Sequence, residues 1–244
     1  MYSRYNRQYI LKMSSGSIWN IYYNQRSELY ASMLSGSNTW SSPVKITDNA
    51  HEAFCACIDE DDRITVLFQD MEGNMFRSVL EQDFADTMPV LKSRQKSLYD
   101  KQFQLIPLKG QVHVLFTVQH NDSRILSHQV LTDKSLPGTP AVIDYVPSGS
   151  SPFAAVVDRQ KNIFVFYQLP MGNSFQMGYK KYVHSKGLWS EFTPVTAYNR
   201  GCEFPSAAVD GSGTIHLCYQ RRPSRQFELV YQQKFPDKNL WTKE

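Results

Sequence analysis

The chain has 244 residues, of which 41% are hydrophobic and 20% charged. That apolar share offsets the entropy of ordering, so a disordered chain is excluded; no run approaches about 18 apolar residues, so no membrane-spanning helix is expected. The 26 Lys and Arg against 23 Asp and Glu leave a formal charge of +3, too balanced for nucleic acid to be expected as a partner.

Met1 to Lys12 carries basic and aromatic residues without the apolar stretch of a secretory signal. Its end, Tyr9–Lys12, reads as a first strand. A core strand follows at Trp19-Asn20-Ile21-Tyr22-Tyr23-Asn24, then a third at Leu29–Leu34 and a fourth opening at Trp40-Ser41-Ser42-Pro43-Val44. The alternation of apolar and polar residues between turn formers is the signature of half-buried strands. The same four elements return with Phe54–Ile58, Ile64–Phe68, Met75–Leu80 and Met88–Leu91. Phe84 to Tyr99 is the least strand-like stretch, interrupted by Pro89. They return again with Phe103–Ile106, Val112–Phe116, Ile125–Val130 and Leu136–Ile143, and a fourth time with Phe153–Val157, Ile163–Tyr167, Gln176–Tyr182 and Trp189–Val195. The last set is Pro205–Val209, Ile215–Tyr219, Glu228–Lys234 and Trp241.

The core strands close on Tyr23, Phe68, Phe116, Tyr167 and Tyr219, at spacings of 45, 48, 51 and 52 residues. A repeat of this length built from four strands predicts an all-β, five-bladed β-propeller of four-stranded antiparallel blades. The expected organisation is a single domain over 1–244, with blades near 1–50, 51–99, 100–150, 151–201 and 202–244. Aromatic side chains suit the wedge between blades. Asp59, Asp158 and Asp210 end first strands, where an Asp carboxylate can accept from the amides of its own turn.

Four cysteines are present, Cys55, Cys57, Cys202 and Cys218, with no C-x-x-C pair, so zinc-ribbon and thioredoxin-like chemistry are not expected. Cys55 and Cys57 point to one face of a strand. All four are expected to be reduced and largely buried, which favours a reducing, cytoplasmic setting; a removed signal segment would permit secretion.

Ser35-Gly36-Ser37-Asn38-Thr39-Trp40 and Ser185-Lys186-Gly187-Leu188-Trp189-Ser190 resemble worn forms of the Asp-box turn, Ser-x-Asp-x-Gly-x-Thr-Trp, that marks sialidase-like β-propellers. The Asp is missing at both places. The sialidase pattern of three arginines, a tyrosine nucleophile and acidic partners has no residue-by-residue counterpart here, and sialidases have six blades. Five blades are similar to tachylectin-type lectins and to furanoside hydrolases such as arabinanases. The resemblance therefore implies either sugar binding or glycoside hydrolysis; fold does not choose between them.

Aligned on the core strand, Glu52, Asp100, Ser151 and Glu203 share one position at the start of the first strand; in the first unit the register is uncertain by one, giving Asn6 or Arg7. In a propeller the first strand is innermost, so Glu52, Asp100 and Glu203 are expected at one channel mouth. Neighbouring carboxylates separate one another's pKa values, which suits acid and base roles, and the same trio is a donor set for a hard cation such as calcium. The plainer reading is that they are solvated charges at a channel mouth. Arg221, Arg222 and Arg225 on one loop could grip an anionic glycan or simply be solvated, as could Lys180-Lys181. His113 and His216 share a strand position whose other occupants, Thr65 and Phe164, point to packing; His51 and His184 sit near turns. The expected function is a non-enzymatic module that binds a glycan or a protein partner, with no required cofactor; the alternative is a furanosidase- or sialidase-like glycoside hydrolase.

Overall fold

The computed structural model describes residues 8–24, 27–81, 84–93, 101–131, 138–148, 152–198, 201–222, 226–238 and 240–243, and for Glu52 the backbone alone. Among the described residues there are twenty strands and no helix. They form five antiparallel sheets, each from consecutive strands, as the repeat predicts. Sheet one holds β1 (Gln8–Lys12), β2 (Ile18–Tyr23), β3 (Leu29–Leu34) and β4 (Val44–Thr47). Sheet two holds β5 (Ala50–Ile58), β6 (Ile64–Asp70), β7 (Met75–Leu80) and β8 (Ala85–Leu91). Sheet three holds β9 (Phe103–Leu108), β10 (Gln111–His120), β11 (Ser123–Leu131) and β12 (Ala141–Pro147). In sheet four, β13 (Ala154–Val157), β14 (Ile163–Met171) and β15 (Ser174–Val183) are completed by two short pieces, β16 (Leu188–Trp189) and β17 (Thr193–Pro194), that both pair with β15. Sheet five has β18 (Cys202–Val209), β19 (Ile215–Arg221) and β20 (Glu228–Lys234). Its expected fourth strand at Trp241 is, among the described residues, a single backbone contact, Thr242 N to Gln233 O at 2.8 Å. Pro89 does lie in a strand, at the edge of sheet two, where a missing N–H breaks no ladder.

The chain packs as two compact units, Met1–Val118 with Leu126–Val142 and Gln119–Ile125 with Ile143–Glu244. In the first unit, one core lies between sheets one and two, built from Trp19, Ile21, Leu29 and Ala31 against Ile64, Val66, Phe68 and Leu80. A second lies between sheets two and three, where Cys55, Cys57 and Leu67 meet Val112, Val114 and Phe116. In the second unit, Phe164, Phe166 and Met177 of sheet four pack on Ile215, Leu217 and Tyr219 of sheet five. Successive side chains of a strand point to opposite faces, so β6 serves both cores of the first unit, with Ile64, Val66 and Phe68 on one side and Leu67 on the other.

One turn recurs at the first hairpin of sheets one, two, four and five. The first residue's N–H bonds to the fifth residue's carbonyl, and the fourth residue's N–H returns to the first: 2.9 and 3.0 Å in Met13–Ser17, 3.0 and 3.2 Å in Asp59–Arg63, 2.9 and 3.0 Å in Asp158–Asn162, 3.1 and 2.9 Å in Asp210–Thr214. The fourth residue has positive φ each time: Gly16 88°, Asp62 60°, Lys161 66°, Gly213 85°. The three aspartates act as the sequence predicts. Asp59 Oδ1 accepts from Asp61 N and Arg63 N, both at 2.9 Å; Asp158 Oδ1 accepts from Asn162 N at 2.8 Å; Asp210 Oδ1 accepts from Ser212 N and Thr214 N, both at 2.9 Å. Asp70, not singled out in the sequence, caps the next hairpin of sheet two in the same way. These turns also settle the register of the first unit. Ile18 follows its turn as Ile163 follows Asp158–Asn162, so Tyr22, not Tyr23, is the counterpart of Tyr167.

The Trp-Ser pattern has a backbone purpose. Ser41 N donates to Met33 O at 2.8 Å, and Met33 N donates back to Ser41 Oγ at 3.0 Å. Ser190 does the same with Lys181, at 2.8 and 2.9 Å, and Thr242 with Gln233, at 2.8 and 2.9 Å. The hydroxyl supplies the acceptor that an outer strand would otherwise provide, worth about 1 kcal/mol per bond.

All four cysteines are free; Cys55, Cys57 and Cys202 are buried and Cys218 is half-buried. Burial pushes the Cys57 thiol up to about 12, with nearby Asp59 adding to the rise, and raises Cys55 and Cys202 as well. Titration of the native protein with a chromogenic disulfide should give a slow reaction, Cys218 first, and four thiols after denaturation. A rapid release of Cys55 or Cys57 would contradict their placement.

Candidate functional site

The carboxylates singled out in the sequence are not all described. Glu52 lies on β5 in the first unit, with its side chain outside the described residues, and Asp100, like Ser151, Asn6 and Arg7, lies outside them entirely. Glu203 is on β18 in the second unit, half-buried and paired with Gln220 where the ladder shifts register before Ser206. β5 shifts register at the matching place, between Ala50 and Phe54. Phe204, next to Glu203, is 49% exposed and takes φ 53°, a left-handed conformation that costs a bulky residue about 1–2 kcal/mol. Such bulges re-aim side chains. Among the described residues, no three His, Cys, Asp or Glu side chains gather at metal-holding distance.

Of the arginines, Arg221 is already engaged. Its Nη2 lies 2.9 Å from Glu228 Oε2, directly across the β19–β20 ladder, and its guanidinium sits 4.6 Å from the centroid of Tyr198. Arg222 stacks on Phe227 at 5.2 Å, and Arg225 is outside the described residues. His113 is buried and stacked on His128, with Nδ1 and Nε2 2.9 Å apart. His216 bonds Asp210 Oδ2 at 3.1 Å and the Tyr231 hydroxyl. Both histidines thus hold neighbouring strands and turns.

Two concavities that no residue pattern announced lie between sheets four and five of the second unit. One cleft of about 580 Å³ is lined by Arg159, Phe164, Tyr179 and Lys181 on one side and by Ile215, Lys234, Phe235 and Asp237 on the other. A second hollow of about 630 Å³ adjoins it across Tyr179 and is lined by Thr193, Pro194, Gln232, Leu240 and Trp241. Phe164 lies 5.1 Å from Tyr179, which lies 6.2 Å from Trp241, so an aromatic run passes beneath both. Lys181 Nζ stands 5.7 Å over the Phe164 ring. Burial first, and the like charge of Lys181 second, hold the Lys234 ammonium below its ordinary value; Asp158 partly offsets them. Asp158 is committed to its own turn, accepting from Asn162 N and, at 2.9 Å, from Asn162 Nδ2. Arg159 bonds the Gly211 carbonyl and lies so close to Gly213 that a Cβ there would fall 2.6 Å from Arg159 Cδ. Only glycine admits both this approach and the positive φ.

No protein-family model and no curated protein matches the chain. Solved structures do. The BP39L lectin from Burkholderia pseudomallei superposes with a TM-score of 0.68 at 13% identity, over 99% of this chain and 70% of the lectin. An ulvan lyase of polysaccharide lyase family PL25, bound to -[GlcA(1-4)Rha3S]-, gives 0.63 at 11% identity, over 98% of this chain and 70% of the lyase. A thermostable family-43 glycoside hydrolase gives 0.52 at 10% identity, over 96% and 91% of the two chains. The fold is a β-propeller. Five sheets fit five blades. At these identities the likeness carries the fold alone.

Proposed function

We propose that this β-propeller is a glycan-binding module. The carrying observation is the pair of adjoining hollows between sheets four and five, floored by Phe164, Tyr179 and Trp241 and rimmed by polar groups. Volumes of 580 and 630 Å³ fall within the range that holds small ligands, and aromatic faces with a few polar contacts suit sugar rings. The lectin and the carbohydrate-active enzymes among the fold neighbours support the reading. It takes the five sheets as the blades of one propeller domain over residues 1–244, with the worn Asp-box turns as its tie to the sialidase-like group, and a reducing, cytoplasmic setting. A glycan array probed with the full chain should show reproducible, saturable binding; silence across neutral and acidic glycans would reject the module.

The second reading is a glycoside hydrolase in which Glu52, Asp100 and Glu203 supply acid and base or nucleophile, or in which the same residues hold calcium. The strained backbone at Phe204 beside Glu203 favours it, since stored strain gathers at functional sites. If it is right, the protein should cleave arabinan, and Glu203→Gln should abolish cleavage with the fold intact, because an amide neither donates a carboxylic proton nor attacks carbon. A wild-type protein without hydrolysis, or a fully active variant, ends that reading.

A further inference from the structure

We propose that the cleft between sheets four and five binds the anionic group of an acidic glycan, a uronate carboxylate or a sulfate ester, between Lys181 and Lys234. The inference rests on the glycan-binding reading and gives it a substrate class and a place.

The two lysines are brought together by strand alternation. Lys181 is the cross-strand partner of Phe164, and Lys234 of Ile215. Phe164 and Ile215 both belong to the core between the two sheets, so each lysine stands in a row that otherwise faces that core. The repeat shows what normally fills these places. Counted from the shared hairpin turn, the corresponding partners between sheets one and two are Met33, opposite Trp19, and Leu80, opposite Ile64. Leu80 is buried in the hydrophobic core there, and Met33 packs against it. Packing alone is therefore satisfied by hydrocarbon at this position, and a facing pair of ammonium groups needs another reason.

The charge of the pair is only partly offset, by Asp158. Among the described residues, neither Lys181, Lys234 nor Arg159 forms an ion pair. Lys234 Nζ donates to the Lys238 carbonyl at 2.6 Å, which orients the ammonium without balancing its charge. The lining carboxylates are Asp158, held by its turn, and Asp237. An anion seated between two like charges over an aromatic floor gains from both and relieves their repulsion, in surroundings drier than bulk water. Arg159 adds a third cation, pinned in place of a short residue: the same turn position in sheet one is Ser14, which bonds Asp62, the counterpart of Gly213. The adjoining hollow, with Pro194, Leu240 and Trp241, extends the groove beyond the size of a free inorganic anion. A charged group attached to apolar-faced rings fits that combination.

The test is calorimetric titration of the full chain with oligogalacturonate, dextran sulfate, a neutral maltooligosaccharide and inorganic tripolyphosphate at low salt. The expected result is binding of at least one acidic glycan, weakened about tenfold by Lys181→Gln and by Lys234→Gln, with Lys181→Arg close to wild type. Uronate and sulfate sources are distinguished by which of the two polymers binds. A Lys109→Gln variant, on the first hairpin of sheet three and not among the residues that line the cleft, should leave affinity unchanged. Thermal melts of each variant separate lost binding from lost folding. Acidic glycan bound equally by wild type and both Gln variants overturns the cleft while leaving the glycan module standing. Binding of the neutral sugar alone overturns the acidic class with the same consequence. Tripolyphosphate bound as tightly as either polymer overturns the sugar as the occupant. No binding of any glycan overturns this inference and the module together.

Discussion

Phe166→Ala should cost about 3–5 kcal/mol of stability and lower the thermal midpoint by about 6–20 °C. Phe166 is fully buried between sheets four and five, 5.7 Å from Tyr179 and 5.7 Å edge-on to Trp241. Alanine leaves a void that backbone pairing on both sides cannot close, because the lost volume sits between two sheets whose ladders fix their spacing. Urea denaturation followed by circular dichroism measures the change. Leu229→Ala is the control: that side chain is 76% exposed, and its loss should stay within about 0.5 kcal/mol. Equal losses in the two variants would show that the inter-sheet core is not where the structure puts it.

Acid should destabilise the fold through one histidine pair. Burial first, and neighbouring His113 second, hold the His128 imidazole down to about 4. The unfolded chain protonates this group near its ordinary value of about 6.5. Between those values the unfolded state binds more protons, so stability falls as pH falls; it is full above about 6.5 and the loss levels off below about 4. A shift to about 4 corresponds to a total of about 3 kcal/mol. Denaturation curves from pH 7 to pH 4 should show that decline, and His128→Phe, even if less stable overall, should remove this part of the slope. An unchanged slope in the variant would move the origin elsewhere.

The five-fold rhythm was legible because each central strand carries a short apolar run that closes on an aromatic; Asp59, Asp158 and Asp210 advertise three of the turns that lead into these strands. The register of the first unit was not. Trp19 to Tyr23 carries aromatics at both candidate closing positions, and only the hydrogen bonds of Met13–Ser17 choose Tyr22. The arginine loop shows a different limit. Arg221 reads as available until the pairing of β19 with β20 sets Glu228 opposite it. Lys181 is hidden for a similar reason. Beside Lys180 it reads as a solvated charge, and Lys180 is in fact paired, 3.1 Å from Asp144 Oδ2. Which face Lys181 occupies, and that Lys234 stands opposite, depends on sheet stacking, which one strand's pattern does not contain. The carboxylate positions at least fall at strand starts, as expected for Glu52 and Glu203.

The hydroxyl clamps have a bearing on how this architecture can change. Ser41, Ser190 and Thr242 each fasten the returning chain at one point, eight, nine and nine residues after the strand residue they grip. The clamp works together with a short pairing inside the same hairpin, Leu34 with Trp40 in sheet one and Tyr182 with Trp189 in sheet four, so only the turn tip beyond that pairing is free of any duty to keep count. Lengthening or recomposing it leaves the anchor, and so the registry of everything inside it, untouched. The outer rim of each such sheet is thereby open to variation in loop size and chemistry, while the inner strands, tied by ladder and turn, are not.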